Sequence, residues 1–254
     1  MDFSINALIL AGAPNNGKLA ASSDKEFEAL IDINGKPLLQ YVLNGLLESS
    51  KVDEIVVVCP VIVSEKFVEE KEYSKVKFVA SKDDLIDNFM LGLGSFEQSK
   101  MALVLTSDIP FIRGKDIDTF IDQCSEEGVE VFYPLISKDK LESRFPGASR
   151  TYFKIREGLF TAGNIFYVEP EIVFSRQGLL KKAFELRKNP AGLVSLLGAG
   201  LIFKYLSGKL SIIDIENKVK DSFNIVGKGL ITDVTSIGMD IDKPEDLALA
   251  KIML

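Results

Sequence analysis

Along the first half of the chain, apolar residues gather into short unbroken runs. Between the runs they recur every three or four positions. The run at 5–11 (INALILA) closes on Gly12, and others follow at 54–59, 75–80, 101–106 and 129–135. Continuous runs of this length, stopped by Gly, Pro or Asp, predict strands covered on both faces. The intervening pattern predicts helices at 38–49, 64–72, 83–98 and 114–127, the first entered through an Asn34-Gly35 turn and Pro37. Such alternation implies right-handed crossovers and a sheet layered between helices. Beyond residue 135 the rhythm changes. Strands are expected at 149–155, 159–168, 224–231 and 237–241, and a closing helix at 244–254 behind Pro244. Residues 176–223 read as pieces of helix broken by Pro190 and glycines. The expected fold is α/β: a three-layer α/β/α sandwich around a mainly parallel, mixed sheet of Rossmann-like type. It is read as one domain over 1–254, with a helical insertion at about 176–223.

Composition narrows the chemistry. The 254 residues are 46% hydrophobic and 26% charged, enough to bury a large core. The net charge of −7 argues against a general nucleic-acid binder. An acidic chain still holds nucleotides through backbone N–H groups, a lysine and a metal ion. There is no histidine, which excludes His-based triads and most zinc sites. A metal here must be held by oxygen, which points to Mg²⁺ or Mn²⁺. The two cysteines, Cys59 and Cys124, read as separate thiols. No apolar run approaches the ~20 residues of a membrane span, and the first residues carry no basic leader, so the expected location is cytoplasmic.

Ligands of open α/β sheets bind beyond the carboxyl ends of the strands. Gly12 and Asp108 both follow predicted strands, which places them in one crevice. The stretch LILAGAPNNGKL (8–19) is open to two readings there. Gly12-x-x-x-x-Gly17-Lys18 is most of a P-loop, but Leu19 stands where a Mg²⁺-ligating Ser or Thr is needed. The other reading is a nucleotidyltransferase loop opening on Leu10-Ala11-Gly12.

Four stretches in order carry the second reading: ALILAG (7–12), LIDINGKPLLQYVLNGL (30–46), VLTSDIPFI (104–112) and GMDIDKPEDLALA (238–250). Together they resemble the MobA-like nucleotidyltransferases, with a fold of the nucleotide-diphospho-sugar transferase (glycosyltransferase-A) type. The resemblance implies transfer of an NMP group from an NTP to a small-molecule acceptor bearing a phosphate or hydroxyl, with release of pyrophosphate. It implies Mg²⁺ (or Mn²⁺), no nucleic-acid partner, and leaves room for a homodimer. Leu10, Ala11, Gly12, Ala13, Asn16, Gly17 and Lys18 would bind the nucleotide, with Lys18 steadying the triphosphate. Asp108 and Asp242, joined by Asp240, would hold the metal; Lys18, Asp108 and Asp242 would be the catalytic set. Asp240 and Asp242, two apart on an expected strand, would share a face. Gly163 and Asn164 would meet the acceptor. Plainer readings stand beside these: a strand-ending turn for Gly12, a solvated lysine for Lys18, a turn for Asp108, a helix N-cap for Asp242 and a polar turn residue for Asn164. One position departs from the pattern. Glu28 stands where the family carries a phosphate-contacting lysine, which keeps open a non-catalytic nucleotide- or sugar-binding protein on the same fold.

Overall fold

The computed structural model describes residues 5–96, 100–186 and 198–254. The start of the N-terminal segment and the middle of the 176–223 insertion, with Pro190, lie outside the described residues. The first half runs β1 (Ile5–Leu10), β2 (Asp32–Ile33), β3 (Lys36–Pro37), α1 (Leu38–Glu48), β4 (Val52–Cys59), α2 (Val61–Ser64), β5 (Val76–Ala80), α3 (Leu85–Leu93), β6 (Ala102–Thr106) and α4 (Gly114–Gln123). The second runs β7 (Val131–Ser137), α5 (Lys138–Arg144), β8 (Phe153–Ile155), β9 (Gly158–Ala162), β10 (Ile165–Val168), α6 (Pro170–Ser175), α7 (Gln177–Leu186), α8 (Ala199–Leu206), α9 (Ile212–Phe223), β11 (Gly227–Thr232) and α10 (Pro244–Met253).

Among the described residues, nine strands form one sheet in the order β5-β4-β1-β6-β10-β7-β9-β8, with β11 paired to the other edge of β7. Only β9 and β10 run against the rest, so the sheet is mixed but mainly parallel. Strand alternation sends Ala7 and Ile9 into a core with Leu39, Val42, Ile117 and Phe120, while Leu8 packs on the opposite face with Val56, Val58 and Leu93. Helices therefore cover both faces, as the unbroken apolar runs predict. The Asn34-Gly35 turn also forms, both residues taking positive φ (52° and 84°).

Three expectations fail, each for a local reason. Residues 64–72 are not a helix: α2 stops at Ser64, and the chain continues as turns that bury Phe67 edge-on against Tyr73, 5.5 Å between ring centres. Residues 159–168 form two strands, not one. β9 and β10 lie end to end along the same edge of β7, separated at Gly163-Asn164, where the Asn164 amide donates to the Ile237 carbonyl at 2.8 Å instead. Residues 237–241 are not a strand. Thr235–Gly238 is a 3-10 turn, and the segment beyond it spends its polar backbone on Asp108 and Arg150. The bend at Gly163-Asn164 has a consequence for the site. β10 borders β6 and β9 borders β8, so β8 prolongs the line of β6 past its carboxyl end.

Candidate active site

β1 and β6 run in register, with Leu10 beside Thr106. The residues two further on, Gly12 and Asp108, therefore leave the sheet at the same level of its carboxyl edge. From the β5 side, Ser81 reaches the same point: a Cβ built on Gly12 would stand 3.6 Å from the Ser81 Cβ. That is ordinary contact, and the Gly12 backbone is not left-handed. Nothing in the protein itself demands glycine at 12, so a demand would come from whatever approaches its backbone. Gly163 is the opposite case. A Cβ there would meet Pro134 Cγ at 2.8 Å and the Ile237 carbonyl at 3.2 Å, so packing alone accounts for it.

The loop after Ala11 is closed at its base. Pro14 bridges to Phe27, the Asn15 amide donates to the Glu26 carbonyl at 2.8 Å, and the Glu28 amide to the Ala13 carbonyl at 3.0 Å. The Asn15 side-chain amide donates to the carbonyls of Ser23 (3.1 Å) and Lys25 (2.9 Å). Asn16, Gly17 and Lys18 are exposed at the tip. Lys18 opens a 3-10 turn (Lys18–Ala21) anchored by buried Leu19. A P-loop lysine begins an α-helix, so the geometry here does not match that reading.

Asp108, Asp240 and Asp242 each offer a carboxylate oxygen, and these oxygens lie within 4.8 Å of one another. Asp108 and Asp240 are partly buried and Asp242 is exposed. The C-terminal segment is tied to the β6 loop by the Ile241 amide, which donates to the Asp108 carbonyl at 2.9 Å. The Asp242 side chain does not cap α10; the N-cap position is Lys243. The shared-face argument for 240 and 242 fails with the missing strand, yet the two carboxylates still converge on Asp108.

Burial pushes the Asp108 carboxyl up to about 6, opposed by the Thr106 hydroxyl, which donates to it at 2.5 Å, and reinforced by the charge of Asp242. Burial and the neighbouring Asp108 charge push Asp240 up to about 7, against the pull of Arg150. Glu28 joins this field. Burial, then the charges of Asp108 and Asp242, raise its carboxyl to about 7. Four acidic groups thus share this corner, and burial first, then like-charge repulsion, raises the carboxyls of Glu28, Asp108 and Asp240. The donor set is carboxylate oxygen alone, which suits a hard divalent cation of the Mg²⁺ or Mn²⁺ kind.

Several residues of the site have no role assigned by the sequence pattern. Thr106 orients Asp108. Arg150 and Asp246 form an ion pair at 2.9 Å, both almost fully buried. The polar character of Asp246 is visible in the sequence only as an acidic residue in the first turn of a helix. Asn88, also buried, clamps the turn after β5 by accepting from the Lys82 amide (2.6 Å) and donating to its carbonyl (2.8 Å).

The sequence pattern of the MobA-like NTP transferase domain matches residues 7–199. The chain belongs to this family. Among curated relatives, a 2-C-methyl-D-erythritol 4-phosphate cytidylyltransferase of Clostridium botulinum is 29% identical over 128 residues, 49% of this chain and 55% of that protein. A probable molybdenum cofactor guanylyltransferase of Thermococcus gammatolerans is 27% identical over 149 residues, 58% of this chain and 75% of that protein. The chain thus spans about half the length of the cytidylyltransferase. A solved structure described as a hypothetical transferase from Thermus thermophilus superposes with a TM-score of 0.83 at 26% identity, covering 96% of this chain and 99% of the other. Among the described residues, no helix of this MobA-like chain is long and apolar enough to cross a membrane.

Proposed function

We propose that this protein is a divalent-metal-dependent nucleotidyltransferase. It would pass an NMP group from an NTP to a phosphate- or hydroxyl-bearing small molecule in the cytoplasm. The observation that carries this reading is the convergence of Asp108, Asp240 and Asp242 at the carboxyl edge, level with the Gly12 loop. In this reading the backbone of residues 10–17 receives the nucleotide, and Lys18 lies over the triphosphate. Asp108 and Asp242 hold Mg²⁺ or Mn²⁺, with Asp240 beside them. Such an ion, when bound, offsets triphosphate charge and polarises the α-phosphorus. An acceptor oxygen, oriented by Asn164, attacks that phosphorus. A new P–O bond forms, the bond to the bridging oxygen of the β-phosphate breaks, and pyrophosphate leaves. The task is positioning and charge neutralisation, which a chain without histidine can perform.

Glu28 favours a second reading, a nucleotide-binding protein without turnover, because a carboxylate facing Asp108 and Asp242 opposes a polyanionic donor. Pyrophosphate release separates the two. The assay takes ATP, GTP, CTP and UTP with Mg²⁺ or Mn²⁺ against sugar phosphates, polyol phosphates and pterins. Metal-dependent release with one donor, lost in Asp108→Asn, is the expected result. Metal-dependent NTP binding without release from any pair would move the assignment to the binding protein.

A further inference from the structure

Two of the three converging carboxylates sit on a segment with neither helix nor strand, between the 3-10 turn at Thr235–Gly238 and α10. Regular pairing does not hold Asp240 and Asp242 in place. Beside the Ile241 amide's bond to the Asp108 carbonyl, one guanidinium does. Arg150, with 7% of its side chain exposed, lies just before β8, which runs past the end of β6. Its Nε donates to the Gly238 carbonyl (3.3 Å) and lies 3.2 Å from Asp240 Oδ1 as an ion pair. Nη1 donates to the Ser149 carbonyl (3.0 Å) and Asp246 Oδ1 (2.9 Å). Nη2 donates to the Asp240 carbonyl and lies 3.1 Å from Met239 Sδ. The second oxygen of Asp246 accepts from the Asp242 amide at 3.2 Å. One side chain thus grips residues 238, 239 and 240 directly and 242 through Asp246.

A buried arginine beside a nucleotide site invites assignment as a phosphate contact. The donor inventory argues otherwise. A guanidinium has five N–H groups. Here Nε bonds the Gly238 carbonyl and each Nη has two partners, so all five are taken and none is left for a ligand.

We propose that Arg150 is a positioning residue. It sets the spacing of Asp240 and Asp242 against Asp108 for divalent-metal binding, and touches neither nucleotide nor acceptor. The proposal rests on the nucleotidyltransferase reading for the presence of the metal. The Arg150 guanidinium also lies 3.2 Å from Asp240 Oδ1, a cation beside a carboxylate that faces Asp108. A lysine retains the charge but cannot span five acceptors, because its ammonium is a single point.

The test is Mn²⁺ binding by the full-length protein, read by electron paramagnetic resonance and calorimetry, for wild type, Arg150→Lys and Arg150→Gln. Removing an outer-sphere support of a metal site weakens binding by about 10- to 100-fold. That loss is expected in both variants, with activity restored when Mn²⁺ is raised and with metal-free binding of a fluorescent NTP analogue unchanged. Asp246→Asn guards against a folding defect. It keeps one acceptor oxygen for Arg150 but loses the second, which takes the Asp242 amide, and removes the charge; a loss of Mn²⁺ affinity in a variant that still unfolds cooperatively supports the proposal. Folded variants that bind Mn²⁺ as wild type does overturn it. So does a loss of metal-free nucleotide binding, which would make Arg150 a ligand contact. A wild-type protein that binds no Mn²⁺ overturns the metal reading itself, a result distinct from the variants matching a wild type that does bind.

Discussion

The Glu28 amide donates to the Ala13 carbonyl at 3.0 Å, so the chain leaves β1, makes its loop and returns with a carboxylate at the mouth of the site. That carboxylate meets the fields of Asp108 and Asp242. Removing its charge while keeping its shape relieves the repulsion. Glu28→Gln should therefore melt higher than wild type at pH 8 without metal. The group is only partly buried, so solvent screening reduces the gain to about 1 kcal/mol, or roughly 2–4 °C in a chain of this size. Differential scanning calorimetry decides it. A lower melting temperature would mean that the carboxylate holds a structural contact instead.

The raised carboxyls make stability depend on pH in a stated direction. Glu28 and Asp240 stand at about 7 and Asp108 at about 6, all above their values in an unfolded chain. Between roughly pH 4 and 7 the folded protein therefore binds more protons than the unfolded one. Stability contributed by these groups is present at the acid end and is lost as pH rises through 6 to 7. The metal-free protein should melt lower at pH 8 than at pH 5.5. A divalent cation binds the deprotonated form, so Mg²⁺ should raise the melting temperature more at pH 8 than at pH 5.5. Calorimetric titration near pH 6.5 in buffers of different ionisation enthalpy should show proton release on Mn²⁺ binding. A melting temperature that rises steadily from pH 5.5 to 8 without metal would refute the assignment.

Gly12 offers a clean separation of ligand from fold. A Cβ at this position meets nothing closer than 3.6 Å and the backbone needs no left-handed residue. Gly12→Ala should melt within about 0.5 kcal/mol of wild type, as an uncrowded substitution does. If the nucleotide lies against this backbone, the added methyl should weaken NTP binding about tenfold or more, seen in a direct binding titration. Equal affinity would move the nucleotide away from Gly12.

Much of this geometry is visible along the chain because strands buried on both faces leave unmistakable apolar runs. Gly12 and Asp108 close two such runs, and register alone then brings them level. The helix expected at 64–72 fails because Phe67 and Tyr73 find each other through turns rather than a helical stripe. The strand expected at 237–241 fails because its backbone groups go to the Asp108 carbonyl and the Arg150 side chain, not to a neighbouring strand. Asp240 and Asp242 still reach Asp108, held by the Ile241 amide and by Arg150, whose contacts to this segment and Asp246 span 88 to 96 positions of sequence. No local pattern signals a tie of that length. Glu28 is legible as a departure from the family's pattern; its partners, Asp108 and Asp242, are not.

Gly163 and Asn164 are neighbours in the break between β9 and β10, but the structure assigns them different work. Gly163 has no room for a side chain, with Pro134 Cγ 2.8 Å and the Ile237 carbonyl 3.2 Å from a Cβ. Gly163→Ala should cost about 1–3 kcal/mol, the usual range for overpacking a close contact. Asn164 is fixed through its backbone, donating to Ile237 and accepting from the Thr106 amide at 3.2 Å. Asn164→Ala leaves both of those bonds intact, so its melting temperature should change little. If its side chain orients the acceptor, KM for the acceptor should rise about tenfold, in line with a lost hydrogen bond of roughly 1.4 kcal/mol, while KM for the NTP holds. A loss of melting temperature in Asn164→Ala equal to that in Gly163→Ala would make both residues part of the bend and would leave the acceptor to other groups.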